Sequence, residues 1–96
     1  MALAALVVTF QRREALQRTV ERLRAEPVDR IWVVDNGSTD GTREWLAELN
    51  EPRLRVIRAP TNLGGAGGFE AGLRAVTSED DPEWVVLMDD DARPEP

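Results

Sequence analysis

The sequence predicts an α/β fold with a doubly wound, mostly parallel four-stranded sheet in the order β-α-β-α-β-α-β. Three observations support this fold class. Four short apolar runs are rich in Val and Ile, amphipathic helical patterns separate them, and each connection is long enough to hold a helix. Parallel strands need such crossover connections, which are right-handed in nearly all proteins. With 96 residues, the chain is expected to form one domain.

The predicted strands are continuous apolar runs, not alternating ones. They lie at residues 3–10, 30–34, 54–57 and 84–88. Continuous apolar runs are typical of strands that are covered by helices on both faces of a parallel sheet. We therefore expect all four strands to be buried on both faces.

Three apolar stripes at helical spacing predict the helices between the strands. The stripes are Leu16, Val20 and Leu23; then Trp45, Leu46 and Leu49; and finally Phe69, Leu73 and Val76. Pro27 and Pro52 end the first two helices, and Asp40 is the predicted N-cap of the second. The glycines within 64–68 are expected to form a loop that leads into the third helix.

The composition limits the chemistry available to the chain. It contains no Cys and no His, which excludes disulfides, thiolate nucleophiles, zinc–thiolate sites and imidazole bases. Any acid–base or metal chemistry must therefore use carboxylates. No apolar run in the sequence approaches the ~20 residues that a membrane-spanning helix needs.

Acidic charge is concentrated near the end of the sequence. Residues 1–78 carry eleven Arg against ten Asp or Glu, a balance of +1, whereas residues 79–96 carry eight acidic residues and only Arg93, a balance of −7. A protein that binds nucleic acid needs clustered basic residues on one face. The distribution of charge therefore argues against nucleic acid as a partner.

Polar residues follow each predicted strand at its carboxyl end, where open α/β sheets bind their ligands. The four segments are 9–12, 35–38, 61–65 and 89–91. Because the carboxyl ends of parallel strands lie at one edge of the sheet, these segments are expected to converge there. This edge is the predicted functional site.

The last of these segments consists of Asp89, Asp90 and Asp91. In an extended segment Asp89 and Asp91 point the same way, so these two carboxylates can share one ligand. Oxygen ligands of this kind suit Mg²⁺ or Mn²⁺, which also neutralises their mutual repulsion. The alternative is a solvated acidic turn or an N-cap cluster, although the position directly after a buried strand favours the metal site.

The other three segments have both functional and purely structural interpretations. The Asp35 carboxylate can accept hydrogen bonds from a ribose hydroxyl or a base N–H, or it can simply form a turn with Asn36 and Gly37. The glycine-rich stretch at 62–69 can hold a phosphate, or it can allow close packing of a helix on the sheet. Arg12 can bind a diphosphate, or it can be an ordinary surface residue.

Taken in order, the four segments resemble the family 2 glycosyltransferases. The matching motifs are VVTFQR at 7–12, VVDNGSTDGT at 33–42, NLGGAGGF at 62–69 and LMDDD at 87–91. The last two are most similar to the galactofuranosyl- and rhamnosyltransferase-like branch. The resemblance implies the Rossmann-like N-terminal half of a glycosyltransferase A fold, in an inverting enzyme that uses a nucleotide-diphosphate sugar.

The resemblance also implies a role for individual residues. It assigns the nucleotide-sugar site to Thr9, Phe10, Arg12, Asp35, Asn62 and Asp89, and the metal site to Asp89 and Asp91. The Asp-X-Asp pair would hold Mn²⁺ or Mg²⁺ and, through the ion, the diphosphate of the donor. A metal ion on the leaving diphosphate assists cleavage of the glycosyl–phosphate bond. Gln11 departs from the family, which often has Asn at this position.

On this basis residues 1–96 are expected to be the nucleotide-sugar-binding half of a glycosyltransferase domain. The acceptor site and the general base are expected further along the gene. Residues 1–96 are therefore expected to be inactive alone. The expected partners are a UDP- or dTDP-linked sugar and, for the intact enzyme, a glycan or lipid-linked acceptor. The expected location is the cytoplasm, including the cytoplasmic face of the membrane, with a role in cell-wall polysaccharide synthesis.

Two alternatives belong to other functional classes. A nucleotidyltransferase fragment can have a similar sheet and acidic metal site, but such enzymes usually have a Gly-rich loop after the first strand, and residues 10–13 contain no glycine. A non-enzymatic metal- or nucleotide-binding module is the other alternative. In that case the exposed edge of the sheet is expected to promote self-association.

Overall fold

Strands and helices alternate throughout the part of the chain, residues 2–89, that the computed structural model describes. The elements are β1 (Leu3–Thr9), α1 (Arg13–Arg24), β2 (Arg30–Asp35), α2 (Thr42–Glu48), β3 (Leu54–Arg58), α3 (Gly64–Glu79) and β4 (Trp84–Asp89). This order confirms the predicted β-α-β-α-β-α-β arrangement. None of the helices in the described range has the length and apolar character that crossing a bilayer requires.

The four strands form one parallel sheet in the order β3-β2-β1-β4. Thr9 at the end of β1 is level with Asp35 of β2, and Val8 is level with Asp89 of β4. The chain first adds strands on one side of β1 and then crosses to add β4 on the other side. The strand order therefore reverses between β1 and β4, which is where ligands bind in sheets of this kind.

Helices cover both faces of the sheet, as the predicted doubly wound fold requires. On one face, α1 and α2 pack against β1 and β2 through Leu16, Val20, Leu23 and Leu46, which are all buried. On the other face, α3 packs through Val76 against a second apolar cluster. The helical stripes predicted from the sequence thus lie in these two cores.

Close packing of α3 on the sheet depends on two of its glycines. A Cβ at Gly72 would lie 2.6 Å from Leu6 Cδ1, and one at Gly68 would lie 2.7 Å from Val8 Cγ1. Real Cβ atoms do not approach other atoms so closely, so a larger residue would push the helix away from the sheet. The glycine stretch is also part of α3 itself, because the helix begins at Gly64 and no loop of glycines precedes it.

The expectation that all four strands are buried on both faces is correct for β1 and β2 and wrong for β3 and β4. The reason is the strand order, which places β3 and β4 at the two edges of the sheet. On β4, Trp84 is 71% exposed, Leu87 50% and Val86 44%. Apolar residues in an edge strand are exposed when neither a helix nor another strand covers them.

The start of α2 differs slightly from the prediction. Its N-cap is Gly41, which has a left-handed backbone with φ of 95°, and the predicted cap Asp40 lies one residue earlier. Asp40 still performs capping contacts, since its Oδ1 accepts hydrogen bonds from the Thr42 backbone N–H (3.2 Å) and hydroxyl (2.6 Å). A glycine is favoured at position 41 because residues with a Cβ rarely adopt this φ.

Candidate functional site

A cavity of about 380 Å³ lies at the carboxyl ends of β1 and β4, at the point where the strand order reverses. Its volume is within the range of roughly 300–1,000 Å³ that small-molecule sites occupy. The cavity wall comes from the segments after β1, β2 and β3 and from the last residue of β4. The convergence of polar segments predicted from the sequence therefore occurs at this edge.

Five residues of the predicted nucleotide-sugar site line this cavity together: Thr9, Phe10, Arg12, Asn62 and Asp89. Thr9 is buried, whereas Phe10 is 40% exposed at the turn that follows β1. Asp89 is exposed and ends β4. Asp91, the second predicted metal ligand, lies outside the described residues. Within residues 2–89 no group of three or more acidic side chains is placed to hold a metal ion.

Asp35, the sixth predicted residue, is not part of the cavity wall. Its side chain is buried, and its Oδ1 accepts a hydrogen bond of 2.9 Å from the Ser38 backbone N–H. The carboxylate thereby closes the turn that follows β2. This contact matches the structural interpretation of Asp35 that the sequence left open, and direct contact with a nucleotide stays a prediction.

Asn36 lines the cavity although the sequence did not mark it as a site residue. It is only 2% exposed, and its Nδ2 donates a hydrogen bond of 3.2 Å to the Gly64 carbonyl oxygen. Its backbone N–H donates to the Thr9 carbonyl oxygen at 2.9 Å. Asn36 therefore ties the ends of β1 and β2 to the start of α3. A polar residue directly after a buried strand is the signal in the sequence that indicates it.

The amino end of α3 forms another part of the cavity wall, through Gly64 and Gly65. Asn62 fixes the start of this helix, because its Oδ1 accepts a hydrogen bond of 2.8 Å from the Gly64 N–H. The first N–H groups of a helix have no partner within the helix, and this end carries the positive end of the helix dipole. The first turn contains no acidic side chain that would compete with an anionic ligand.

Asp40 organises the turns beside the cavity. Its Oδ2 accepts a hydrogen bond of 3.0 Å from the Arg13 backbone N–H at the start of α1, while its Oδ1 holds Thr42. Burial raises the pKa of Asp40, but the hydrogen bonds from Thr42 and Arg13 outweigh it, so the pKa lies below its ordinary value. The carboxylate is therefore ionised at neutral pH and holds α1 and α2 together.

The chemical character of the cavity is mixed. It offers the aromatic rings of Phe10 and Phe69, the guanidinium of Arg12, the amide of Asn62 and the carboxylate of Asp89. Aromatic rings accept a flat base, guanidinium groups bind phosphate, and carboxylate oxygens bind hard divalent cations. Together these groups can contact a flat ring, a phosphate and a divalent cation.

Known proteins resemble this chain over most of its length. Residues 4–96 match the family model described as glycosyl transferase family 2. The galactofuranosyltransferase GlfT1 of Mycolicibacterium smegmatis is 38% identical over 93 residues, which are 94% of this chain and 30% of that protein. The undecaprenyl-phosphate mannosyltransferase of Micrococcus luteus is 34% identical over 77 residues, which are 77% of this chain and 32% of that protein.

A solved structure supports the fold independently. The crystal structure of S. aureus TarS superposes with a TM-score of 0.75 and 24% sequence identity, over 95% of this chain and 17% of TarS. The chain spans about a third of the length of the two curated relatives. The resemblance that the four motifs indicated, including its galactofuranosyltransferase-like branch, is confirmed by these matches. The chain belongs to glycosyl transferase family 2.

Proposed function

We propose that this chain binds a nucleotide-diphosphate sugar as the donor-binding part of an inverting glycosyltransferase. The observation that supports this function best is the cavity between β1 and β4, which brings together Thr9 and Asp89 from two strand ends and Arg12 and Asn62 from two connections. Membership of glycosyl transferase family 2 favours transfer of a sugar over the nucleotidyltransferase alternative.

The diphosphate of the donor is proposed to lie between Arg12 and the amino end of α3. Both line the same cavity, and both offer positive charge to a phosphate. Gly64 and Gly65 have no atoms within 4 Å of the position where a Cβ would lie, so a ligand can approach the backbone here. A substrate phosphate would therefore approach the backbone of these two glycines closely, beside the Asn62 side chain that accepts the Gly64 N–H.

The nucleoside is proposed to lie against the segment that follows β1. Phe10 lines the cavity and keeps 40% of its surface exposed, so one part of its ring is free to contact a base. Thr9 contributes a polar residue beneath it at the end of β1. We propose uracil or thymine as the base, in a UDP- or dTDP-linked sugar.

A divalent cation, Mn²⁺ or Mg²⁺, is proposed to bind at the end of β4. The donor chemistry fits, because Asp89 is an exposed carboxylate that lines the cavity, and such ions usually combine one or two carboxylates with water and substrate phosphates. Asp89 and Asp91 would hold the ion. When bound, the ion would neutralise the charge of the leaving diphosphate. Asp89 would hold that ion at the cavity wall.

The acceptor is proposed to be a glycan or a lipid-linked acceptor, since the relatives include a galactofuranosyltransferase and an undecaprenyl-phosphate mannosyltransferase. Inverting transfer needs a general base that takes the proton of the acceptor hydroxyl. We assign that role to no residue within 2–89. The chain's own contribution is to bind and orient the donor.

Titration calorimetry of the chain with UDP, with and without Mn²⁺, tests the proposed function. We expect UDP to bind at least about tenfold more tightly with Mn²⁺, since a charge-assisted contact contributes about 1.5–3 kcal/mol and tenfold corresponds to about 1.4 kcal/mol. UMP, which lacks the second phosphate, is the control and should show a smaller effect of the metal. Equal affinity for UDP with and without Mn²⁺ would contradict the proposal.

We also propose that two copies of the chain pair through β4. The two edges of the sheet differ, because β3 carries Arg55 and Arg58, whereas residues 84–88 of β4 carry no charge. Charged residues protect an edge strand from pairing, and an uncharged, exposed edge invites it. Within residues 2–89 the β3 edge is the charged one, so pairing through β4 would end at a dimer.

The substitution Val86→Lys is expected to abolish this pairing, with Val56→Lys on β3 as the matched control. Both valines are partly exposed on edge strands, at 44% and 38%. Each variant adds one positive charge to the net charge of −6, so general charge repulsion cannot explain a difference between them. Light scattering over a range of concentrations measures the result. A wild-type chain that stays monomeric throughout would refute the pairing.

A further inference from the structure

Gln11, in the turn between β1 and α1, has a left-handed backbone with φ of 54°. Glycine adopts such a backbone without cost, whereas a residue with a Cβ does so only when surrounding contacts compensate. Within residues 2–89 the other non-glycine residue with positive φ is Asp81, which is not part of the cavity wall. Strained backbone of this kind is most often found where a function depends on it.

Three hydrogen bonds to the turn after β2 hold Gln11 in this conformation. Its backbone N–H donates to Ser38 Oγ at 3.0 Å, and its side-chain Nε2 donates to Thr39 Oγ1 at 2.7 Å. Its Oε1 accepts from the Thr39 backbone N–H at 2.8 Å. One amide group thus bonds twice to one residue, which fixes its orientation. We call this set of contacts the Gln11–Thr39 latch.

The latch lies between two residues of the cavity wall. Phe10 and Arg12 line the cavity, whereas Gln11 itself does not. The backbone angle at Gln11 sets the direction in which the chain leaves Phe10 and reaches Arg12 at the start of α1. If Gln11 relaxed to the usual negative φ, Phe10 and Arg12 would no longer have their present relative placement.

We propose that Gln11 is a positioning residue for the donor, and that the latch holds Phe10 and Arg12 in the arrangement that binds the nucleotide. This inference rests on the proposed function of the cavity. In the free chain, the latch raises the fraction of molecules whose turn has the binding conformation. Apparent affinity falls in proportion to that fraction when the latch is removed.

Three substitutions separate the influence of the Gln11 backbone conformation on UDP affinity from the influence of its side-chain hydrogen bonds. Gln11→Ala removes the side-chain bonds and keeps the strain, so UDP in the presence of Mn²⁺ is expected to bind about tenfold more weakly. Gln11→Gly removes the same bonds but allows positive φ without strain, so a smaller loss of about threefold is expected. Thr39→Val keeps the shape of the partner and removes its hydroxyl, so its loss should also be smaller than that of Gln11→Ala.

The matched control is Gln17→Ala, which removes the same kind of side chain from α1 at a position outside the cavity wall. It should leave the affinity for UDP within twofold of the wild type. The double variant Gln11→Ala with Thr39→Val should bind no more weakly than Gln11→Ala alone, because both changes break the same latch. Thermal unfolding of every variant establishes that it is folded at the temperature of the titration.

Calorimetry with UDP and Mn²⁺ gives distinct outcomes for the two proposals. A wild-type chain that does not bind UDP would overturn the proposed function of the cavity. Wild-type binding combined with Gln11→Ala binding within twofold of it would overturn the positioning role alone. Equal losses of UDP affinity in Gln11→Ala and Gln11→Gly would also overturn the positioning role. The backbone conformation of Gln11 would then have no influence on UDP binding. The order wild type, Gln11→Gly, Gln11→Ala in decreasing affinity is the expected result.

Discussion

Substitution of Asp89 by Asn is expected to weaken binding of UDP in the presence of Mn²⁺ by at least about tenfold, which removes the gain in affinity that Mn²⁺ provides. Asp89 is the carboxylate at the end of β4 that lines the cavity, and Asn keeps its shape while removing its negative charge. Loss of a residue that merely supports a metal ligand typically costs 10- to 100-fold in affinity, so loss of the ligand's charge should cost at least as much. Titration calorimetry measures the change directly.

Asp81→Asn is the matched control for this experiment. Asp81 precedes β4 at the opposite end of the strand, and Asn tolerates its left-handed backbone, for which φ is 44°. The control removes the same charge from the chain and should leave UDP binding unchanged. If Asp89→Asn and Asp81→Asn weaken binding equally, the effect comes from the overall charge, and Asp89 is not a metal ligand.

Substitution of Leu16 by Ala is expected to lower the free energy of unfolding by about 2–5 kcal/mol, the usual cost of truncating a buried leucine. Leu16 is fully buried between α1 and the sheet, in the larger of the two apolar cores. Domains of this kind have only about 5–15 kcal/mol of stability, so the variant should be close to unfolding. Urea denaturation followed by circular dichroism measures the loss.

Leu63→Ala provides the control for Leu16, because it removes the same atoms from a side chain that is 48% exposed. We expect it to cost less than about 1 kcal/mol, as surface substitutions usually do. Comparable losses of unfolding free energy in Leu16→Ala and Leu63→Ala would mean that α1 does not pack on the sheet as described. The comparison therefore tests the helical stripe on which the assignment of α1 rests.

The sequence was sufficient to predict the alternation of strands and helices, because Leu16, Val20 and Leu23 repeat at helical spacing between two apolar runs. It could not show that β3 and β4 lie at the edges of the sheet. A continuous apolar run such as residues 84–88 looks the same whether later contacts cover the strand or leave it exposed. Strand order depends on contacts between distant residues, which a local pattern does not contain.

The sequence was sufficient to predict which segments form the candidate site, but it was less informative about which residue of each segment lines the cavity. Thr9, Arg12 and Asn62 could be placed at one edge because the carboxyl ends of parallel strands meet there. The sequence could not show which of Asp35 and Asn36 lines the cavity. Successive side chains of a strand point to opposite faces, so only the position of α3 decides that Asn36 lines the cavity and Asp35 does not.

The latch at Gln11 is a further feature that the sequence could not predict. The sequence drew attention to Gln11 only as a change of residue type relative to the family. Its left-handed backbone and its bonds to Thr39 join positions 28 residues apart. Such contacts depend on the register of β1 against β2, which places the two turns side by side.

The proposed function depends on a divalent cation bound at the end of β4, and Mn²⁺ offers a direct measurement of its position. In NMR spectra of the labelled chain with UDP, small amounts of Mn²⁺ broaden the signals of nearby backbone amides. Among residues 2–89 the broadening is predicted to be strongest at Asp89 and at Val8, which is level with it on β1, followed by Asn62 in the cavity wall. Broadening centred instead on Asp80 and Asp81, before the start of β4, would contradict a donor site in this cavity.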